Sequence, residues 1–138
     1  MATRRSTLTL LGAASVIAVT AACLPAFAND TLKIGFVGVT SGPAAAWGTS
    51  NVRSMETLAA WLNETGGVKI GDKTYDIEIV TFDDQKDPKR AVEGMEKMAQ
   101  EGVHYVVGPN VDDGAAAVRP VAEKNGIIYF PYAFPKEL

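Results

Sequence analysis

Five side chains carry most of the chemical potential of this chain: Trp47, Asp112, Asp113, Tyr132 and Phe134. Three are aromatic walls with a polarisable face, and two are carboxylates that take hydrogen bonds from N–H or O–H groups. Trp47 follows a run of small residues, Ser41-Gly42-Pro43-Ala44-Ala45-Ala46, which offers its ring little local core. Two readings stay open for it, a wall for an apolar or aromatic ligand and a ring folded back on the start of the next helix. Asp112 and Asp113 precede a helical pattern, so one of them is expected to cap that helix while the other faces outward to bind a donor. Tyr132 and Phe134 follow a short apolar run and are placed to line the same cleft or to pack.

The remaining reactive residue types do not assemble into a catalytic pattern. Asp83-Asp84 resembles a phospho-acceptor or metal pair, but it lacks a second acidic cluster and a matching lysine, so capping and loop bonding are the better account. His104 is the single histidine, and beyond residue 28 the chain has no cysteine, so a metal site is not expected. There is no Gly-x-Ser-x-Gly, no phosphate-binding Gly-rich loop and no paired nucleophile and base. A catalytic reading is thus unsupported, and neither an enzymatic centre nor a cofactor is expected.

The elements that must position these residues are legible as alternating periods. Leu32 to Val39 is a short apolar run ending in Thr40-Ser41-Gly42-Pro43, a buried strand and its exit loop. From about Thr49 to Glu64, Val52, Met55, Leu58, Ala59 and Leu62 recur at helical spacing, and Gly66-Gly67 stop the helix. Val68 to Lys73, with Gly71-Asp72, reads as a small excursion before a second strand over Tyr75 to Phe82. Asp87-Pro88 supplies a cap and a first-turn proline for a helix that ends at Gly102. Val103 to Val107 is a third strand with Gly108-Pro109-Asn110 as its exit. A third helix carries Val118, Val121 and Ala122 and closes at Asn125-Gly126, with Pro120 predicting a kink or an irregular first turn. Ile127 to Phe130 is the fourth strand.

Strand and helix alternate as β-α-β-α-β-α-β, with crossovers long enough for parallel pairing and no hairpin signal strong enough to interrupt it. The expected architecture is an α/β fold with an open doubly wound parallel sheet in spatial order 2-1-3-4. In such a sheet ligands sit outside the carboxyl ends of the strands. The four stretches at those ends are residues 40–48, 83–87, 108–114 and 131–135, and the five side chains named above fall in three of them.

The first 28 residues are read as a secretory signal peptide. Arg4 and Arg5 precede an apolar stretch from Leu8 to Leu24, and Ala26 and Ala28 suit a peptidase that cuts before Asn29. Thr3-Arg4-Arg5-Ser6 also resembles a twin-arginine start. Thr20-Ala21-Ala22-Cys23 resembles a lipoprotein box that would anchor the chain through lipid on Cys23, but a larger aliphatic residue normally stands where Thr20 does. Periplasmic delivery of residues 29–138 is the preferred expectation. The whole chain carries 13 basic and 16 acidic residues, net −3, and the balance becomes −5 once Arg4 and Arg5 are gone. That surface offers no positive footprint for nucleic acid.

The sequence resembles the amino-terminal part of the branched-chain amino-acid solute-binding proteins of ABC transporters, the leucine-binding or receptor-ligand-binding family. The resemblance runs over nearly all of residues 32–138. It rests on Lys33-Ile34-Gly35, Ser41-Gly42-Pro43 with Trp47-Gly48, Gly66-Gly67-Val68, the run from Asp83 to Val92, Val106-Val107-Gly108 and Asn125-Gly126-Ile127. It implies a type I periplasmic-binding-protein fold, of which this is part of the first lobe, in a two-lobed clamp that closes on a small solute and hands it to a membrane permease. Trp47 matches the family's aromatic contact. Asp112 and Asp113 stand where serine is usual, and Phe134-Pro135 stands near an expected threonine, so a plain carboxylate ligand is disfavoured against an amide, cationic, hydroxylated or aromatic solute. Family members run more than twice as far, so the second lobe is expected to be missing from a fragment or truncated product. Two other classes are an extracellular sensor lobe of the same fold serving a signalling receptor, and an exported flavodoxin-like enzyme.

Overall fold

The computed structural model describes residues 29–134. The signal-peptide reading of residues 1–28, with Cys23, lies outside the described residues. Eight elements follow one another: β1 (Asp30–Gly38), α1 (Ala45–Glu64), β2 (Val68–Ile70), β3 (Lys73–Asp83), α2 (Pro88–Gln100), β4 (Tyr105–Val107), α3 (Asp112–Asn125) and β5 (Ile128–Phe130). They form one sheet in the order β2-β3-β1-β4-β5. The four strands read from sequence are β3, β1, β4 and β5, all parallel and in the expected 2-1-3-4 order.

The expectation that no hairpin interrupts the alternation is corrected. β2 pairs antiparallel with β3, with Val68 opposite Tyr75 and Ile70 opposite Lys73, which makes the sheet mixed. The turn is Gly71-Asp72, and Gly71 adopts φ 61°, a left-handed conformation that costs glycine nothing. Three residues of strand were enough to extend the sheet because the turn chemistry was already in place.

The order reversal around β1 decides where the helices lie. A right-handed crossover from β1 to β3 runs one way across the sheet, and the later crossovers to β4 and β5 run the other way, so α1 covers one face and α2 with α3 the opposite one. The main core fills the α2 and α3 side, where Ala91, Met95 and Met98 of α2 and Val118 and Ala122 of α3 meet Val37 and Val106 of the sheet. On the other face the parallel register aligns Tyr105 with Ile128 and Val107 with Phe130. Tyr105, Ile128 and Phe130 remain exposed there, because α1 lies over β3.

Local signals account for the helix ends. Asp87 accepts a hydrogen bond from Lys89 N–H at 2.8 Å and Pro88 takes the first turn of α2. Gly126 closes α3 in the left-handed conformation at φ 64°. Asn63, near the end of α1, grips both backbone groups of Ile77, accepting from its N–H at 2.7 Å and donating to its carbonyl at 2.9 Å, which fastens α1 to β3. α3 is continuous through Pro120, without the irregular first turn expected from sequence. The proline removes a single N–H to Ala116, and its ring points to an exposed side of the helix.

Candidate functional site: a cleft at the carboxyl ends of the parallel strands

Four loops leave the carboxyl ends of β1, β3, β4 and β5 along one edge of the sheet, and each is held in place by side chains of its neighbours. The loop after β1 is pinned by Asp83, whose Oδ1 accepts from Thr40 N–H at 2.8 Å and from Gln85 N–H at 3.1 Å. Partial burial pushes the Asp83 pKa up, but hydrogen bonds from Ser41, Thr40 and Gln85 outweigh that and hold it below the ordinary value of 3.8. Asp84 is buried and accepts from Lys86 N–H at 2.9 Å, and desolvation raises its pKa. The pair is therefore loop scaffolding, as read from sequence. It holds Gln85 and Lys86 in left-handed conformations, φ 53° and 63°.

α1 begins earlier than its periodicity implied, and this moves Trp47. The residue lies in the first turn of α1 rather than in a loop, because the alanines before it favour helix and no side-chain cap marks the start at Ala44. Gly48, the next residue, is buried so tightly that a Cβ there would strike the carbonyl oxygen of Val39. That close approach carries the Trp47 ring to the rim, where it is 67% exposed, so it does not fold back as core.

The expectation that one aspartate caps α3 is also corrected. The N-cap is Val111, extended at φ −140° and ψ 136° and without a side-chain cap, while Asp112 and Asp113 occupy the first turn. Their charges still suit the positive end of the helix dipole. Asp112 instead reaches across to the last segment and accepts from Phe134 N–H at 2.9 Å. Pro109 O accepts from Tyr132 N–H at 3.1 Å, and Phe130 O accepts from Gly108 N–H at 2.8 Å. These three bonds lay residues 130–134 along the loop after β4, with the Gly108–Pro109 peptide in the cis form.

The result is a cleft of about 450 Å3 lined by Trp47, Lys86, Asn110, Asp112, Asp113, Tyr132 and Phe134 with Val111 and Ala133. All five residues singled out from sequence are on it, and three of the four loops plus the first turn of α1 contribute. Tyr132 and Phe134 are 69% and 88% exposed, so neither is consumed by packing. A second cleft of about 490 Å3 adjoins it through Lys86, bounded by Val39, residues 41–44 and Gln85. The volume of the first is within the ordinary range for small-molecule sites.

Sequence reasoning missed Asn110 and Lys86. Asn110 is only 3% exposed, and its Oδ1 accepts from Val39 N–H at 3.1 Å, joining the ends of β1 and β4. Its Nδ2 is buried without a partner. An asparagine just past a strand that borders the reversal of strand order was the available signal. His104 is exposed and apart from the cleft. Among the described residues no three His, Cys, Asp or Glu side chains gather as a metal-binding group.

A mainly parallel sheet with a ligand-sized cleft at its carboxyl edge has the form of a small-molecule binding module. The chain belongs to the periplasmic binding protein family, which it matches over residues 31–137. It is 37% identical over 114 residues to the Leu/Ile/Val-binding protein of Citrobacter freundii, covering 82% of this chain and 30% of that protein. The Leu/Ile/Val-binding protein of Escherichia coli K12 is 34% identical over 127 residues, covering 88% and 34%. Among solved structures, the branched-chain amino acid substrate-binding protein LivJ of Streptococcus pneumoniae, in complex with isoleucine, superposes with a TM-score of 0.69 at 30% identity, covering 78% of this chain and 30% of that one. A solute-binding protein of R. palustris in complex with 4-hydroxybenzoate gives 0.59 at 27% identity, covering 74% and 27%. The chain thus spans about a third of the length of these relatives, and the family is one of solute-binding proteins rather than enzymes.

Proposed function

We propose that this chain forms one jaw of the extracytoplasmic solute-binding component of an ABC uptake transporter, and that Trp47, Asp112, Asp113, Tyr132 and Phe134 contact the solute. The observation that carries the reading is the convergence of these five side chains, drawn from three separate segments, on one cleft at the carboxyl edge of the parallel strands. Amino acids, amides and aromatic solutes are the candidate ligands. Relatives named for leucine, isoleucine and valine, and a structural neighbour holding 4-hydroxybenzoate, support that range.

One jaw covers one side of a ligand, whereas a finished site buries about 70–90% of a drug-sized ligand. The second jaw would come from the polypeptide that the longer relatives possess, and a membrane permease would receive the solute. Residues 1–28 would direct export and be removed before Asn29. Titrating the full chain with a panel of amino acids, carboxamides and aromatic acids, followed by NMR, tests the site. Shifts concentrated on the Trp47 indole and residues 110–113 and 132–134 are expected. Binding that perturbs another surface, or no perturbation by any solute, overturns the reading. Amino-terminal sequencing of protein recovered from the periplasm is expected to begin at Asn29, and an intact Met1 sinks the export proposal.

A further inference from the structure

Among the described residues, Asn110 is the one buried side chain on the cleft whose donor has no partner. Its Oδ1 is committed to Val39 N–H at 3.1 Å, which fixes the orientation of the amide and leaves Nδ2 pointing away from that bond with nothing to bond to. A buried, unsatisfied donor costs on the order of 1–3 kcal/mol, so a group able to accept from it is drawn to the site. Asp113 lines the same cleft and makes no hydrogen bond to the protein among the described residues, while Asp112 is already bound to Phe134 N–H. The cleft therefore holds a free donor, a free carboxylate acceptor and three exposed aromatic rings.

Charge narrows the choice further. Lys86 contributes one positive charge to the lining, against two negative charges from Asp112 and Asp113. The positive end of the α3 dipole, which would otherwise hold a ligand carboxylate, is already matched by these side chains. A ligand carboxylate would meet like charge and would bring no N–H for Asp113.

We infer that the cleft selects a primary carboxamide with an apolar or aromatic body, its carbonyl accepting from Asn110 Nδ2 and its N–H donating to Asp113. This rests on the cleft being the solute site, and deepens that reading by naming the ligand group and Asn110 as a specificity-determining contact. Nδ2 is closed to bulk solvent in the free chain, so a ligand carbonyl reaches it only as the side chains packed around it shift. The amide group is small and carries an acceptor for the one partner and a donor for the other.

The test uses three probes of nearly one shape on the full chain, followed by NMR of the asparagine side-chain amides and the Trp47 indole. Benzamide has both donor and acceptor, acetophenone the acceptor alone, and benzoate a charged acceptor. Benzamide is expected to shift the Asn110 side-chain amide and to bind about tenfold more tightly than either analogue, the difference made by one hydrogen bond to a charged group. Asn110→Asp keeps the acceptor for Val39 and removes the donor, and is expected to weaken benzamide about tenfold. Asp113→Asn, on the exposed rim, is expected to narrow the gap between benzamide and benzoate. Equal binding of all three probes at the cleft overturns the carboxamide inference while leaving the site reading intact. Absence of any shift at Trp47 and residues 110–113 overturns both. Should Asn110→Asp fail to fold, the comparison of probes on the unaltered chain decides the matter by itself.

Discussion

The carboxylate of Asp112 accepts from the backbone N–H of Phe134 at 2.9 Å, across 22 residues of sequence. This bond sets the width of the cleft, because it fastens the segment after the last strand to the first turn of α3. Asp112→Ala removes the acceptor, and residues 132–134 are then held chiefly by the bond from Tyr132 N–H to Pro109 O. Amide hydrogen exchange is expected to speed up at Phe134 while the core amides of β1 keep their protection. Unchanged exchange at Phe134 would show that the bond does not restrain the segment.

Gly48 permits α1 to approach the end of β1 closely enough to place Trp47 on the rim. Gly48→Ala puts a methyl group against the Val39 carbonyl, a backbone atom that cannot swing away. A loss of about 1–3 kcal/mol in urea unfolding is expected, as for other overpacked sites. The Trp47 emission should change with it, since the first turn must move.

Met95 lies in the centre of the core between α2 and the sheet, wholly buried. Met95→Ala is expected to cost about 2–5 kcal/mol, measured by denaturant unfolding. A loss below 1 kcal/mol would mean that the cavity collapses or that the α2 face is not the main core.

The two adjacent aspartates respond to pH in opposite senses. Asp84 has a folded-state pKa raised by burial, so the folded chain binds its proton more tightly, and its contribution declines as pH rises from 3.8 through the folded-state value. Asp83 is held low by its hydrogen bonds, so its contribution is present above 3.8 and is lost as pH falls through its folded-state value. Asp84→Asn keeps an acceptor for Lys86 N–H and is expected to flatten the decline above pH 3.8, whereas Asp83→Asn should flatten the loss below it. Parallel stability-against-pH curves for the two variants would contradict this assignment.

Legibility in the sequence followed the range of the interactions. The end of α1, the start of α2 and the end of α3 were readable because Gly66, Asp87 with Pro88, and Gly126 act within a turn of their own positions. The start of α1 was not, because Ala44 caps it without a side-chain bond and the contact that fixes it, Gly48 on Val39, joins two separate elements. The hairpin had its turn residues in plain view at Gly71-Asp72, yet three residues of strand carry too little alternation to register beside them. Five of the residues that line the cleft could be singled out from sequence by placing strand ends on a common edge. Asn110 escaped because its one sequence signal is its place just past β4, while the unpaired Nδ2 that singles it out is a property of the packed chain.

The sheet has two unlike margins. At β2 the antiparallel ribbon carries Lys69 outward beside the ion pair of Lys73 with Asp30, and charge on a border strand discourages further pairing. At β5 the border shows Ile128 and Phe130 to solvent and carries no lysine or proline. The β5 margin is accordingly the less guarded of the two, and among the described residues Tyr105, Ile128 and Phe130 turn an open apolar strip toward solvent beside it.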